Sequence, residues 1–186
     1  MSSATIATAP LTKTAWAIDP THSEITFRVK HLMITNVKGE FRKFDAEIKG
    51  QDFTSAAIRA TIDATSIFTN DDSRDAHLRS ADFFDVENYP ELTFEGTSFQ
   101  KTQGENYLLK GILTIKGVRR EVAFDVEFGG INKAPWGNEK AGFSISGKIN
   151  RKDWGLNWNA ALETGGVLVS DEVRISAEVQ LVKQAL

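Results

Sequence analysis

The 186-residue chain contains no cysteine. Structural disulfides, thiolate catalysis and cysteine-ligated metals are therefore excluded, and the redox compartment cannot be read. An excess of one charge is missing too. With 22 Lys and Arg against 25 Asp and Glu, the net charge of -3 makes no electrostatic case for nucleic acid or for an anionic membrane. Histidine is scarce: His22, His31 and His77 follow no zinc spacing, so no metal is expected. The chain also lacks a Walker A loop, a Rossmann fingerprint and a G-x-S-x-G elbow. His22 stands beside Ser23, but adjacent strand residues point to opposite faces and cannot pair. No catalytic residue is assigned, and no cofactor is expected.

Long apolar runs are absent, so no segment reads as a membrane span. The opening "MSSATIATAPLTKTAW" has neither the basic start nor the apolar run of a secretory signal, and reads as a flexible tail over residues 1–14. A cytoplasmic protein is expected if the chain is native from Met1, and a periplasmic or secreted one if a signal has been removed. Residues 15–183 read as one domain, with 184–186 as its C-terminal end.

Alternation with period two is abundant. In "SEITFRVKH" the apolar Ile25, Phe27 and Val29 alternate with Glu24, Thr26, Arg28 and Lys30. The same pattern recurs in "FDAEIKG", in "AIRATIDAT", around Leu92 and Phe94, and over Leu109–Ile115, Val122–Phe128, Phe143–Ile149 and Val173–Leu181. About eight one-sided strands follow, wetted on one face. Left open, a meander of that length would expose its edges. The expected fold is all-β: an eight-stranded antiparallel, lipocalin-like β-barrel with one or two short helices near one end, and a two-sheet sandwich as competitor.

Two connections are long. In the first, "TNDD" offers Thr69 and Asp72 as an acidic variant of the capping box, so a short helix is expected to begin there. Asp75 and Arg79 would pair along it, and Ser80 would cap a second turn. Leu78, Phe83 and Phe84 then plug or rim a barrel end, where Arg74, His77 and Arg79 could meet a polar head group. The second runs from Arg151 to Asp171, with Trp154 and Trp158 as a cover.

The inward set is nearly free of charge and mixes bulky residues with Ala46, Ala60, Ala64, Gly96, Gly111, Gly147 and Ala177. These small residues either let large ones interdigitate in a solid core or leave an apolar cavity. A cavity so lined would favour a hydrocarbon chain, since each buried methylene contributes about 0.8 kcal/mol and asks for no hydrogen bond. His31 continues the inward parity of Val29, either bonded to backbone at a strand end or as one polar contact for a ligand head. A bulge before it would reverse its direction.

Several blocks resemble the YceI-like family of lipocalin-like, polyisoprenoid-binding proteins. They are "WAIDPTHSEITFRVKHLMITNVKGEFRKFDAEI", "SIFTNDDSRDAHLRSADFFDVENYPELTFEG", "GILTIKGVRREVAFDVEFGG", "GFSISGKINRKDWGLNW" and "SDEVRISAEVQL", in the family's order from Trp16 to Leu181. The resemblance implies a tunnel for the tail of a long-chain isoprenoid lipid of polyprenyl pyrophosphate or quinone type, a role in storage or transport, and no established reaction. It places Phe27, Val29, His31, Phe41, Phe44, Phe83 and Phe84 at the tunnel. Strand parity adds Leu113, Phe124, Phe143 and Ala177. An enzyme acting on an isoprenoid quinone, with His31 or His77 as acid/base, and a ligand-free stress-response module are the alternatives. Transient membrane contact and a homodimer, with Leu108 and Ile112 as a seam, remain open.

Overall fold

The computed structural model describes residues 14–162 and 166–184. Most of the tail assigned to 1–14, and residues 185–186, lie outside them. The described strands are β1 (Ala15–Ile18), β2 (Glu24–His31), β3 (Thr35–Phe41), β4 (Phe44–Lys49), β5 (Ala57–Asp63) and β6 (Ile67–Phe68). They continue with β7 (Glu91–Lys101), β8 (Asn106–Ile115), β9 (Val118–Lys133), β10 (Glu139–Asn150) and β11 (Glu172–Gln184). Helix α1 covers Asp72–Arg79.

The first six strands are three long ones, each broken once. A 3₁₀ turn at Pro20–His22 parts β1 from β2, a kink at Arg42 and Lys43 parts β3 from β4, and a 3₁₀ turn at Ala64–Ser66 parts β5 from β6. Eight antiparallel staves result, each paired with its neighbours in sequence. The first closes on the last, with Ala15 opposite Gln184 and Arg28 opposite Arg174. The barrel thus has no free edge along this ring, which is what the wet, one-sided strands require.

The break at Pro20 stays docked through side-chain chemistry. Pro20 has no N–H to give, and Asp19 caps the turn by accepting from the Thr21 amide at 3.1 Å and hydroxyl at 2.7 Å. Asp19 N–H still reaches the Gln180 carbonyl at 2.8 Å, and Ser23 Oγ takes the Gln180 N–H at 2.9 Å. Two bulges, at Gly96/Ser98 and Gly142/Phe143, tighten the wall. The first restores Phe99 to the inward face despite its odd spacing from Phe94.

Both long connections lie over the same end, where β6, β9, β10 and β11 meet them; we call this the covered end. The far end is filled by aromatic rings. Phe53, from the 50–56 turn, meets Trp16 at 5.3 Å, Phe143 at 5.2 Å and Phe128 at 6.1 Å. Phe99 stacks on Tyr107 at 4.6 Å.

The first long connection departs from its expected chemistry. Asp71, not Thr69, caps α1, its side chain accepting from the Arg74 N–H at 3.0 Å. Thr69 instead donates its N–H and hydroxyl to the buried carboxylate of Asp75. Asp75 is then turned inward and makes no ion pair with Arg79. Arg79 donates instead to the carbonyls of Thr65 at 3.1 Å and Ile67 at 3.4 Å. Ser80 starts no second helix; it closes the C-terminus of α1 by donating Oγ–H to the His77 carbonyl at 2.6 Å.

Candidate functional site

Inward positions between the barrel rims are apolar, except that Arg120, near the β8–β9 turn, stands opposite the inward Leu113. Ile25, Phe27 and Val29 face Val37, Gly39 and Phe41 across the β2–β3 pair, and Ile145 and Ile175 continue the lining. The glycines among them do not create open space. A Cβ at Gly111 would fall within the ring of Phe94, one at Gly147 within that of Phe124, and one at Gly39 within that of Phe27. At Gly96 it would meet Ile58 at 2.9 Å. These positions are seats for neighbouring side chains, the solid-core reading of the small residues.

The two walls of the barrel differ in burial. On β7, β8 and β9 the inward Leu92, Phe94, Phe99, Leu109, Leu113, Val122, Phe124 and Val126 are all buried. On β2, β10 and β11 the inward Ile25, Phe27, Val29, Ile145, Ile149, Ile175 and Val179 remain only partly buried, interleaved with the buried Ala141, Phe143, Ala177 and Leu181. An inward side chain between two paired strands is reached from inside the barrel. Among these inward residues, accessible surface is therefore concentrated on the β10–β11–β2 wall.

The sequence-assigned residues fall into three groups. Phe27, Phe41 and Phe84 form a chain of rings, with centroids 5.6 Å apart from Phe27 to Phe41 and 5.8 Å from Phe41 to Phe84. Val29 and His31 extend that inner face to the covered end, in a register that runs from Ile25 opposite Phe41 to His31 opposite Thr35 without a bulge. Phe83 lies elsewhere in the cover, where its ring packs with His77 at 5.1 Å and Trp158 at 5.5 Å. Leu113 and Phe124 belong to the buried core, with Leu113 near the covered end of β8, Ala177 is buried midway along β11 and Phe44 on β4 packs against the core, but Phe143 belongs to the far-end ring cluster.

The polar candidates differ in what they are free to do. Arg74 donates Nε–H to Thr69 Oγ1 at 2.7 Å and Nη2–H to the Thr69 carbonyl at 2.6 Å. With Arg79 bonded to Thr65 and Ile67, both guanidinium groups tie the helix to the end of β6. His77 Nε2 lies 2.9 Å from Asp82 Oδ2, with Trp158 edge-on to its ring at 4.6 Å. His31 is half-buried, and its imidazole meets no hydrogen-bond partner among the described residues. Its backbone bridges to Val169 of the second connection.

That second connection is organised by a residue which alternation could not single out. Arg151 is 4% exposed and donates to the carbonyls of Ser170 at 2.9 Å, Leu156 at 2.6 Å, Trp158 at 2.8 Å and Val169 at 3.4 Å. Burial pushes its pKa below the ordinary guanidinium range, and the nearby Asp171 carboxylate opposes that shift. Trp154 seals the inner side, its indole N–H reaching the Leu113 carbonyl at 2.9 Å. Phe53 was equally hidden from the pattern, as a lone aromatic in the polar turn "GQDFTS". No group of His, Asp and Glu among the described residues is arranged to hold a metal ion. No helix among them is long and apolar enough to cross a membrane.

Comparison with known proteins meets this geometry. The family model of the YceI-like domain matches residues 16–181. A UPF0312 protein of Staphylococcus epidermidis is 45% identical over 170 residues, covering 90% of this chain and 96% of the relative. Among solved structures, Campylobacter jejuni YceI protein superposes with a TM-score of 0.72 at 34% identity, covering 84% of this chain and 90% of that one. BcnA of Burkholderia cenocepacia gives 0.76 at 25% identity, covering 88% and 98%. A polyisoprenoid binding domain from Saccharophagus degradans, at 16% identity and a TM-score of 0.71 over 91% and 98% of the two chains, shares the fold.

Proposed function

The chain belongs to the YceI-like family, and from that premise we propose that it binds and carries a long-chain polyisoprenoid lipid inside the barrel. The observation that carries the reading is the partly accessible β10–β11–β2 wall, apolar at every inward position between the rims. Such a lining offers a buried polar ligand no hydrogen-bond partners, each unmet bond costing on the order of 1–3 kcal/mol. A hydrocarbon tail gains about 0.8 kcal/mol per methylene, less the entropy of ordering it. The solved polyisoprenoid binding domain of Saccharophagus degradans has the same fold. That likeness supports isoprenoid tails over other hydrocarbons.

In this reading the tail lies along Phe27, Val29, Ile145 and Ile175, reaches mid-barrel at Ala177, and stops at the rings of Phe53 and Phe143. Head-group contact falls to His31, whose ring nitrogens are uncommitted, whereas Arg74 and Arg79 hold backbone. A pyrophosphate would favour protonated imidazole and a quinone carbonyl an N–H donor, so either head class is compatible with the position. The cover built on Arg151 is what must yield for entry.

Mass spectrometry of an organic extract from the natively purified protein tests the proposal. A stoichiometric polyprenyl species is expected. A protein that carries none, and takes up none when offered detergent-dispersed polyprenyl lipid, is not a carrier of that class.

A further inference from the structure

The β2–β3 hairpin turns at the covered end with two residues ill suited to its backbone. Leu32 and Met33 have φ of 54° and 61°, and the Ile34 N–H returns to the His31 carbonyl at 3.2 Å. Positive φ at both central positions is the type I′ pattern, which Asn-Gly satisfies and large apolar residues resist. The side chains gain little burial in return: Leu32 is 40% exposed, Met33 48% and Ile34 78%. Three consecutive large apolar residues thus form a projecting tip, and folding alone gives no reason for them.

Below the tip the outer wall carries a row of like charge. Lys148, Arg174, Arg28 and Lys38 stand directly opposite one another across β10, β11, β2 and β3. Cross-strand neighbours of one sign repel. Glu172 relieves only two of them, at 3.3 Å from Arg174 and 4.0 Å from Lys148. Arg28, Lys38 and Lys30, the last two residues nearer the tip than Arg28, make no ion pair among the described residues. The next row toward the far end, Ser146, Ser176, Thr26 and Glu40, holds one carboxylate, and Arg42 takes it at 3.1 Å. The net charge of -3 conceals this patch.

We propose that the β2–β3 hairpin is a docking tip for an anionic lipid bilayer. Leu32, Met33 and Ile34 enter the interfacial region, and Lys30, Arg28 and Lys38 meet lipid phosphates. The dimensions agree. Arg28 lies four residues below the tip, about 13 Å at strand rise, and the apolar part of an interfacial segment sinks roughly 5–10 Å. Long basic side chains reach up across the difference. The hairpin is also bonded to the cover: Leu32 N–H donates to Leu168 O at 2.9 Å, and Lys30 and Ser170 exchange two bonds of 3.1 Å. Docking would therefore bring the covered entrance against the lipid source. The inference rests on the carrier reading for its purpose, though not for its test.

The test is sedimentation of the full chain with vesicles of phosphatidylcholine alone or mixed with phosphatidylglycerol. Binding is expected only to the mixture and should weaken as salt is raised. L32N/M33G keeps the turn and relieves its backbone, so it should melt no lower than the parent while binding vesicles roughly tenfold more weakly. R28E/K30E/K38E should lose binding to the mixture by more than about tenfold. Parent-like sedimentation of either folded variant overturns the proposal. So does loss of binding on W136S alone, since Trp136 is the 70% exposed aromatic at the opposite end. Lipid content of the same variants, read by extraction, separates the two ideas. A variant that fills with detergent-dispersed polyprenyl lipid yet ignores vesicles supports docking. A parent that docks but never holds such lipid removes only the carrier reading.

Discussion

The two ends of the barrel are closed by different physics. At the far end Trp16, Phe53, Phe99, Tyr107, Phe128 and Phe143 fill the bore with one another's rings. At the covered end, chain segments are held by guanidinium groups bonded to carbonyls, Arg151 on one connection and Arg74 and Arg79 on the other. Ring packing spreads its stabilisation over many apolar contacts and depends on no single bond. A cover hung on a few directional bonds opens as a unit when they let go. A dead end and a gate need these two kinds of closure, and the proposed function needs one of each.

The sharpest break in that contrast is Arg151→Ala. It strands several buried carbonyls and should cost about 3–5 kcal/mol in urea unfolding, with hydrogen exchange rising in 151–171 more than at the far end. Uniform exchange would show that the cover is not a separate unit. Phe143→Ala removes a buried ring from the far-end plug and should cost about 3 kcal/mol, leaving exchange in the cover as it was. Its lipid, if the dead end is real, should include longer chains than the parent extracts.

Ala177→Phe sharpens the comparison from mid-barrel. Ala177 stands opposite Ile25 and Ile145, both partly accessible, so the added ring has somewhere to go. A loss of about 1–3 kcal/mol is expected, with lipid stoichiometry well below the parent's. Unchanged stoichiometry would remove the tail from that wall. Gly111→Phe is no substitute, because the ring of Phe94 already occupies its place.

The smallest effect concerns pH. The bond from His22, then that from the Thr21 hydroxyl, hold the Asp19 carboxyl far below its usual range, with Lys140 and the Thr21 amide assisting against burial. The unfolded chain then takes up the proton more readily than the folded one. The stabilisation is complete above the unfolded value of about 4 and drains away as pH falls below it. The stability gap between parent and Asp19→Asn should shrink from pH 5 to pH 3; a constant gap would mean that the Asp19 charge does not contribute to holding the Pro20 turn against Lys140 of β10.

Much of the wall was legible because its signal is local. Period-two alternation names the inward residues of β2, β5, β8, β9 and β11 without reference to anything distant. Where the alternation paused, the reading thinned. β1 is only four residues long, and "TNVKGEF" hides β3 behind a glycine that seats the ring of Phe27. The α1 cap was misplaced by two residues because Thr69, Asp71 and Asp72 are all competent caps. The choice fell to the inward turn of Asp75, a tertiary matter. Arg151 read as one more charge in "NRKDW", since nothing local says that its partners lie up to twenty residues ahead.

What the chain's order of residues determined alone is the wall: eight apolar stripes on wet strands, whose pleat sends every second side chain inward whatever the neighbours are. What only the folded barrel decided is which wall stays accessible and how each end is shut. Those depend on which rings roof which glycines, and on which cations find which carbonyls. Such pairings form between residues far apart in the chain, and close packing settles them only once the ring of strands has closed.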